Sequence, residues 1–358
     1  MRTFLHCCFL IFGLGAFAQI PAGYYNNATG SGYALKTQLY NIIKGHTTKS
    51  YNQLYVCYQT SDRDYFYEND GTILDVYSEK PGGTDSYTYS ATNSNDRCGN
   101  YAVEGDCYNR EHLMPQSVFN EASPMVSDPH HVIPTDGKVN GMRNNFPFGV
   151  VNNPTWTSTN GSKLGNNSTA GYSQKAFEPI DEFKGDVARC ILYFGVRYHN
   201  TVGNYEHAML DGTNQQVFSN WFLPILLQWH QQDPVSPREI ARNNAIYAYQ
   251  GNRNPFIDHP EYACAIWSAG CALANEAFSA LDNVSIYPNP SNDGRFSIQS
   301  EIEIDAVEIV NVNGQVIRHI ERPTFENNTL VISDLPNGFY FVKMSAGNRG
   351  TTKKLIVQ

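Results

Sequence analysis

Residues 107 to 149 read CYNREHLMPQSVFNEASPMVSDPHHVIPTDGKVNGMRNNFPFG. They bring Glu111, His112, His130, His131, Asp136, Asn140 and Arg143 into one short segment. The segment is neither apolar nor periodic, so it does not read as core. It holds a base, a carboxylate, an amide and an arginine, a set suited to metal-assisted attack of water on a phosphodiester. His112 suits the general base, because an imidazole accepts a proton near neutrality. Glu111 and Asn140 suit a Mg²⁺ ion, which prefers oxygen and takes few protein ligands while keeping several waters. Mn²⁺ or Ca²⁺ would serve as substitutes.

Other residues compete for these roles. Asn144 and Asn145 are rival metal ligands. His130 and His131 either orient the site or make structural hydrogen bonds. With His112 they also have the residue types of a zinc site. Arg143 and Arg253 are candidates for the substrate phosphate, through charge-assisted bonds. Arg189 and Arg242 read as structural. One geometric tension is present at the outset. Neighbours in a regular strand point to opposite faces. For Glu111 and His112 to serve one site, the backbone has to bend there or leave strand geometry.

These residues must be held by something. Pro115, Pro124, Pro129 and Pro134 forbid a helix across 103–135. That span therefore reads as strand, long loop and strand, and Asp136 opens a short helix to about Arg143. The order N-R-E-H-x-x-P-x-S, then D-P-H-H-x-x-P-T-D-G-x-V-N-G-x-R-x-N, resembles the endonuclease I family of secreted and periplasmic nucleases. Gly185–Arg189, Trp229–His230, Asp233–Val235 and Gln250–Asp258 extend the resemblance over roughly residues 30 to 262. It implies a His-Me finger (ββα-metal) fold, with His112 as base and Glu111 and Asn140 as ligands of one metal ion. It also implies a nucleic acid substrate, DNA or RNA. Some family members donate an arginine from an insertion between the two motif halves. The short span here leaves no such residue to assign.

Around this centre, periodicity marks helices at 34–45, 182–198, 219–230 and 236–250. Ser236-Pro-Arg-Glu239 has the form of a capping box, and Gly251 stops that helix. Residues 51–58 and 73–78 are β-branched and aromatic and read as short strands. Residues 79–100 and 150–176 are rich in Gly, Ser, Thr and Asn and read as loops.

Residues 1–18 have the form of a signal peptide, ending in Ala16-Phe-Ala18. No later stretch is apolar for long enough to span a membrane. The nuclease domain is then expected over 19–283. Six cysteines lie beyond the leader, which allows fifteen pairings. Cys98–Cys107 and Cys264–Cys271 are the closest pairs and the expected bridges; Cys190 falls on an apolar helix face and reads as a free thiol. Residues 284–358 alternate with period two, with Asn-Gly pairs at 313–314 and 337–338. They read as a small β-sandwich. Its Y-P-N-P start, N-G-x-Y-F-V run and K-K-L-I-V end resemble the C-terminal sorting domain of type IX secretion cargo. This implies the secretion machinery as a partner, and a secreted or cell-surface location. A carbohydrate-binding sandwich is the plainer alternative.

The fold class expected is therefore α+β, a nuclease domain followed by an all-β domain. The net charge of −9 excludes a protein held to nucleic acid by a broad basic field. A turnover enzyme needs only local positive charge. The reading is a secreted, metal-dependent, non-specific endonuclease. Its rivals are a surface adhesin or binding module with an inactive finger, and a secreted zinc hydrolase.

Overall fold

The computed structural model describes residues 20–268, 271, 284–346 and 349–358. The leader at 1–18 and the domain boundary at 283 lie outside these residues. Helix α1, Gly32–Ile43, buries Leu35, Leu39 and Ile43 at helical spacing. Residues 51–58 are helical rather than extended: α2 spans Leu54–Ser61 after a 3₁₀ turn at Tyr51–Gln53. Leu54, Cys57, Tyr58 and Ser61 recur every three or four residues and form the buried face. Ser50 and Gln53 cap the start reciprocally. The periodicity outweighs the strand-favouring composition.

Residues 73–78 are also not a strand. The Asp75 carboxylate accepts from the backbone N–H of Tyr77 and from the Ser78 hydroxyl, both at 2.8 Å. That local bonding turns the chain, as Asx turns do. The turn still buries Leu74, Val76 and Tyr77.

The centre is a ββα unit. Strand β1, Tyr108–His112, pairs antiparallel with β2, Val132–Asp136, in unbroken register from Tyr108 opposite Asp136 to His112 opposite Val132. Helix α3, Gly137–Arg143, follows at once, and the Asp136 carboxylate caps it by accepting from Val139 N–H at 2.8 Å. Gly137 and Gly141 are poor helix residues. Here they make room for Tyr101, whose ring lies where a Cβ at either position would stand. Cys98–Cys107 bridges the chain just before β1.

The 150–176 region is not all loop. Strands β3 (Pro154–Thr157), β4 (Lys163–Asn166) and β5 (Lys175–Glu178) form an antiparallel sheet in that order. Leu164, Ala176 and Phe177 are its buried residues. The amide-rich composition masked it, because the amides satisfy backbone groups. Asn167, for example, accepts from Val150 N–H and donates to the carbonyls of Thr169 and Tyr172.

Helix α4, Lys184–Arg197, is buried beyond its first residue and runs through the core. Helix α5 (Leu223–Gln232) and helix α6 (Pro237–Gln250) follow. The expected capping box at Ser236 and Glu239 is present, and Gly251 ends α6 at φ 90°. The Arg189 guanidinium in α4 meets the Glu239 carboxylate of α6. The Cys264–Cys271 bridge is formed; Cys57 and Cys190 are buried free thiols. Burial pushes the Cys190 thiol up to about 12.

The C-terminal residues form a second unit of antiparallel strands: β6 (Ser285–Tyr287), β7 (Phe296–Gln299), β8 (Ala306–Asn311), β9 (Val316–Glu321), β10 (Thr329–Ile332), β11 (Gly338–Ala346) and β12 (Arg349–Val357). They make two sheets, ordered β10-β7-β6 and β12-β11-β8-β9. The Asn313-Gly314 pair turns β8 into β9. Asn337-Gly338 makes no hairpin. Gly338 opens β11, and the preceding strand belongs to the other sheet. The class is thus mixed α and β followed by all-β. Among the described residues no helix is long and apolar enough to cross a membrane.

Candidate active site

A cleft of about 430 Å³ opens along β1 and α3. Glu111, His112, Asn140 and Arg143 all line it, with Tyr51, Asn109 and Arg110. The strand does not bend to achieve this, contrary to the expectation, since its register is regular through His112. The reason is the location of the cleft. Among the described strands β1 is ladder-paired with β2 alone, with Arg97 bridged to Tyr108 at its start. The cleft is lined by residues of both faces of the strand. Asn109 and Glu111 reach it from the face that carries α3. Arg110 and His112 reach it from the face that carries Tyr51.

His112 is 5 % exposed. Its Nε2 stands 3.0 Å from the Val126 carbonyl oxygen. A carbonyl only accepts, so Nε2 carries the proton and the lone pair falls on Nδ1. Burial lowers the ring's pKa to about 3, with His131, Arg110 and Arg143 acting in the same direction. The imidazole is therefore neutral at neutral pH, with its lone pair on Nδ1. The Val126 turn that orients it is held by Asp128. That carboxylate accepts from the hydroxyls of Tyr193 on α4 and Tyr198 just after it, and from Gln250, at 2.8–2.9 Å.

Glu111 is 1 % exposed. Its Oε1 accepts from the Tyr77 hydroxyl at 3.0 Å and meets the Arg143 guanidinium at 3.0 Å. Burial raises its carboxyl to about 7, against the opposing pull of Arg143, Tyr77 and the His112 backbone N–H. The Asn140 side-chain nitrogen donates to Asn109 Oδ1 at 2.6 Å. That bond leaves the Asn140 amide oxygen as the atom available to the cleft. One carboxylate and one amide oxygen form a small, hard donor set of the kind that suits a divalent cation.

The two arginines expected at the phosphate are committed elsewhere. Arg143 is 1 % exposed. Besides Glu111 it donates to the carbonyls of His112 (2.8 Å) and Leu113 (2.7 Å), and it faces the Phe148 ring. It braces the strand end and also lines the cleft. Arg253 is not brought to the cleft at all. It pairs with Asp258 and Asn244. Asn144 and Asn145 reach the cleft rim, where Asn144 Oδ1 accepts from Asn145 N–H. His130 and His131 are buried, with Nε2 at the carbonyls of Asn252 (3.1 Å) and Met125 (2.8 Å). With the Nε2 of His112 also taken, the three rings are turned to three different carbonyls, and the zinc arrangement is not assembled. Arg189 and Arg242 are structural, bound to Glu239 and Asp62.

Three contributors escaped the sequence reading. Asn109 and Arg110 stood inside the N-R-E-H motif, and strand alternation would have put Asn109 beside Glu111. The Arg110 guanidinium lies over Tyr51 at 3.5 Å and donates to the Tyr51 carbonyl. Tyr77 arrives from a remote turn and left no local signal.

The sequence model described as "Endonuclease I" matches residues 31–261, and that described as "Secretion system C-terminal sorting domain" matches 285–358. An "Extracellular ribonuclease" of Bacillus amyloliquefaciens is 37% identical over 249 residues, covering 68% of this chain and 78% of the relative. Its counterpart in Bacillus subtilis (strain 168) is 36% identical with the same coverage. A "Periplasmic deoxyribonuclease" of Aeromonas hydrophila is 27% identical over 138 residues, covering 38% of this chain and 50% of the relative.

Proposed function

This chain belongs to the endonuclease I family, and from that premise we propose that its β1–α3 cleft hydrolyses the phosphodiesters of DNA and RNA by histidine-activated attack of water. The chain is a nuclease and carries a type IX secretion sorting domain, so it acts as a secreted or cell-surface protein. The ββα unit is then a His-Me finger. His112 Nδ1 accepts a proton from the water that attacks phosphorus, while the Nε2–H···O bond to Val126 keeps the ring and tautomer in place. The bond from phosphorus to the 3′-oxygen breaks and the leaving oxygen takes a proton from solvent water, giving a 5′-phosphate and a 3′-hydroxyl. Glu111 and Asn140 would hold one Mg²⁺, which supplies charge relief on the phosphoryl and leaving oxygens. Arg110, rather than Arg143 or Arg253, is the guanidinium placed at the rim for a phosphate oxygen.

The observation that carries this reading is the orientation of His112 by Val126 in the cleft that also holds Glu111 and Asn140. The choice of both nucleic acids follows from the nucleophile. Water activated by a histidine needs no 2′-hydroxyl, so ribose and deoxyribose substrates are both open to it. The relatives named for ribonuclease and for deoxyribonuclease fit that breadth. The test uses supercoiled plasmid and a structured RNA, with Mg²⁺, Zn²⁺ or EDTA. Cleavage of both with Mg²⁺, leaving 5′-phosphate ends, is expected. Cleavage unaffected by EDTA, or 3′-phosphate ends, would overturn the mechanism.

A further inference from the structure

Away from the cleft, Asp64, Glu68 and Glu79 bring one carboxylate oxygen each to within 4.8 Å of one another. Glu68 is exposed, but Asp64 is 2 % and Glu79 1 % exposed. Two buried carboxylates that close repel strongly and cost desolvation unless something positive joins them. Among the described residues no ion pair joins them, and the neighbouring Arg63 guanidinium donates to the Gly71 carbonyl. The nearby Arg238 is paired with Asp186, and the Lys80 ammonium donates to Ser86. Glu79, one of the three, also carries a buried carboxylate oxygen, Oε1, with no hydrogen-bond partner among the described residues. Buried acceptors are almost always satisfied, so an unpartnered oxygen in a group of carboxylates points to a cation as ligand.

The loop is shaped to present these oxygens. The Asp64 carboxylate accepts from the backbone N–H groups of Phe66, Tyr67 and Asn69, each at 3.0 Å. That winds residues 64–69 around it and sets Glu68 on the same side. Main-chain bonds between Asp64 and residues 71–72 close the loop. On the other side, the turn at Asp75 delivers Glu79, whose carbonyl is held by Asn160.

We propose that Asp64, Glu68 and Glu79 form a second divalent-cation site, for Ca²⁺, separate from the catalytic cleft. Ca²⁺ takes six to eight oxygens in flexible geometry, and water would complete the set. The extracellular setting supplies the ion at about the millimolar levels that such modest sites need. The site would also matter to the chemistry. It pins the 75–79 turn, and Tyr77 in that turn donates to Glu111.

The test is calorimetric melting of the full chain, stripped with EDTA and then titrated with Ca²⁺. A rise in melting temperature of about 5–10 °C is expected once Ca²⁺ reaches about 100 times its dissociation constant. The Glu111→Ala variant should keep that rise, because its loss falls on the catalytic metal. Glu79→Gln and Glu68→Gln should lose it. In EDTA, Glu79→Gln should melt no lower than the wild type, since the repulsion is relieved. Tb³⁺ emission excited through the tyrosines should follow the same pattern. Glu68 is exposed, so its variant folds even if that of Glu79 does not. An equal rise in the wild type and Glu68→Gln, or no rise with Ca²⁺, would overturn the site.

Discussion

The two units of this chain solve opposite problems. The nuclease unit buries charge throughout its interior. Asp128, His130, His131, Arg143, Arg189 and Arg253 are each no more than 1 % exposed. In the C-terminal sandwich the core is Phe296, Ile298, Val307, Ile309, Val342 and Leu355, and its buried polar residues are two serines, Ser291 and Ser300. Apolar burial is enough to hold a sandwich that serves as an address. It is non-directional, though, and it cannot aim an imidazole. The nuclease unit uses bonded, buried polar groups to fix its atoms, at a desolvation cost that the sandwich avoids.

If that division holds, the largest effects on activity come from the polar site and none from the sandwich. Glu111→Ala should abolish Mg²⁺-dependent plasmid cleavage. Val342→Ala should destabilise the sandwich by about 2–4 kcal/mol and leave the cleavage rate unchanged. A shared loss of activity would break the comparison. Next comes Arg143→Ala, which leaves Glu111 and two carbonyls without their partner. Removing one member of a buried pair costs about 3–5 kcal/mol, readable in denaturant melts, and activity should fall with it.

Acid should also separate the units. The rings of His130, His131 and His230 are lowered by burial to about 4, from an ordinary 6.5. Below pH 6.5 the unfolded chain binds protons that the folded unit refuses. Stability is therefore full above that value and is lost as pH falls toward 4. The sandwich carries none of these buried rings. Buried carboxyls raised to about 7, those of Asp75 and Glu111, act with the opposite sign, so the histidine contribution is read by calorimetry at pH 7 and pH 5 as a smaller downward movement of the nuclease transition in His230→Gln than in the wild type. The smallest effect is expected at a helix end. Ser236→Ala removes the cap of α6 and should cost about 1 kcal/mol, with no change in cleavage.

The legibility of this molecule follows the same contrast. Glu111, His112 and Asn140 stood out because their segment is locally dense in polar types and because its order matched a family, and the structure brings the three to one cleft. Helices α1, α4 and α6 were visible from period and caps. The sandwich was visible from its period-two alternation. What failed was decided by single side chains. Asp75 turned an apparent strand, and Asn167 supported a sheet inside an apparent loop. The aromatic and β-branched residues of α2 hid a plain helical spacing. Arg143 and Arg253 were harder to place for a further reason. An arginine's type states its charge but not its partner, and here the partners were Glu111 with two carbonyls and Asp258. Tyr77 could not be foreseen, since only the folded chain brings it to Glu111.

The most direct test is plasmid nicking by the full chain under single-turnover conditions in Mg²⁺, comparing wild type with His112→Ala. General-base catalysis contributes about 10²–10⁴-fold. A loss of that size is expected, with DNA affinity little changed, in a variant that circular dichroism shows to be folded at the assay temperature. A variant that nicks at the wild-type rate would contradict the assignment of His112 and the account built on it.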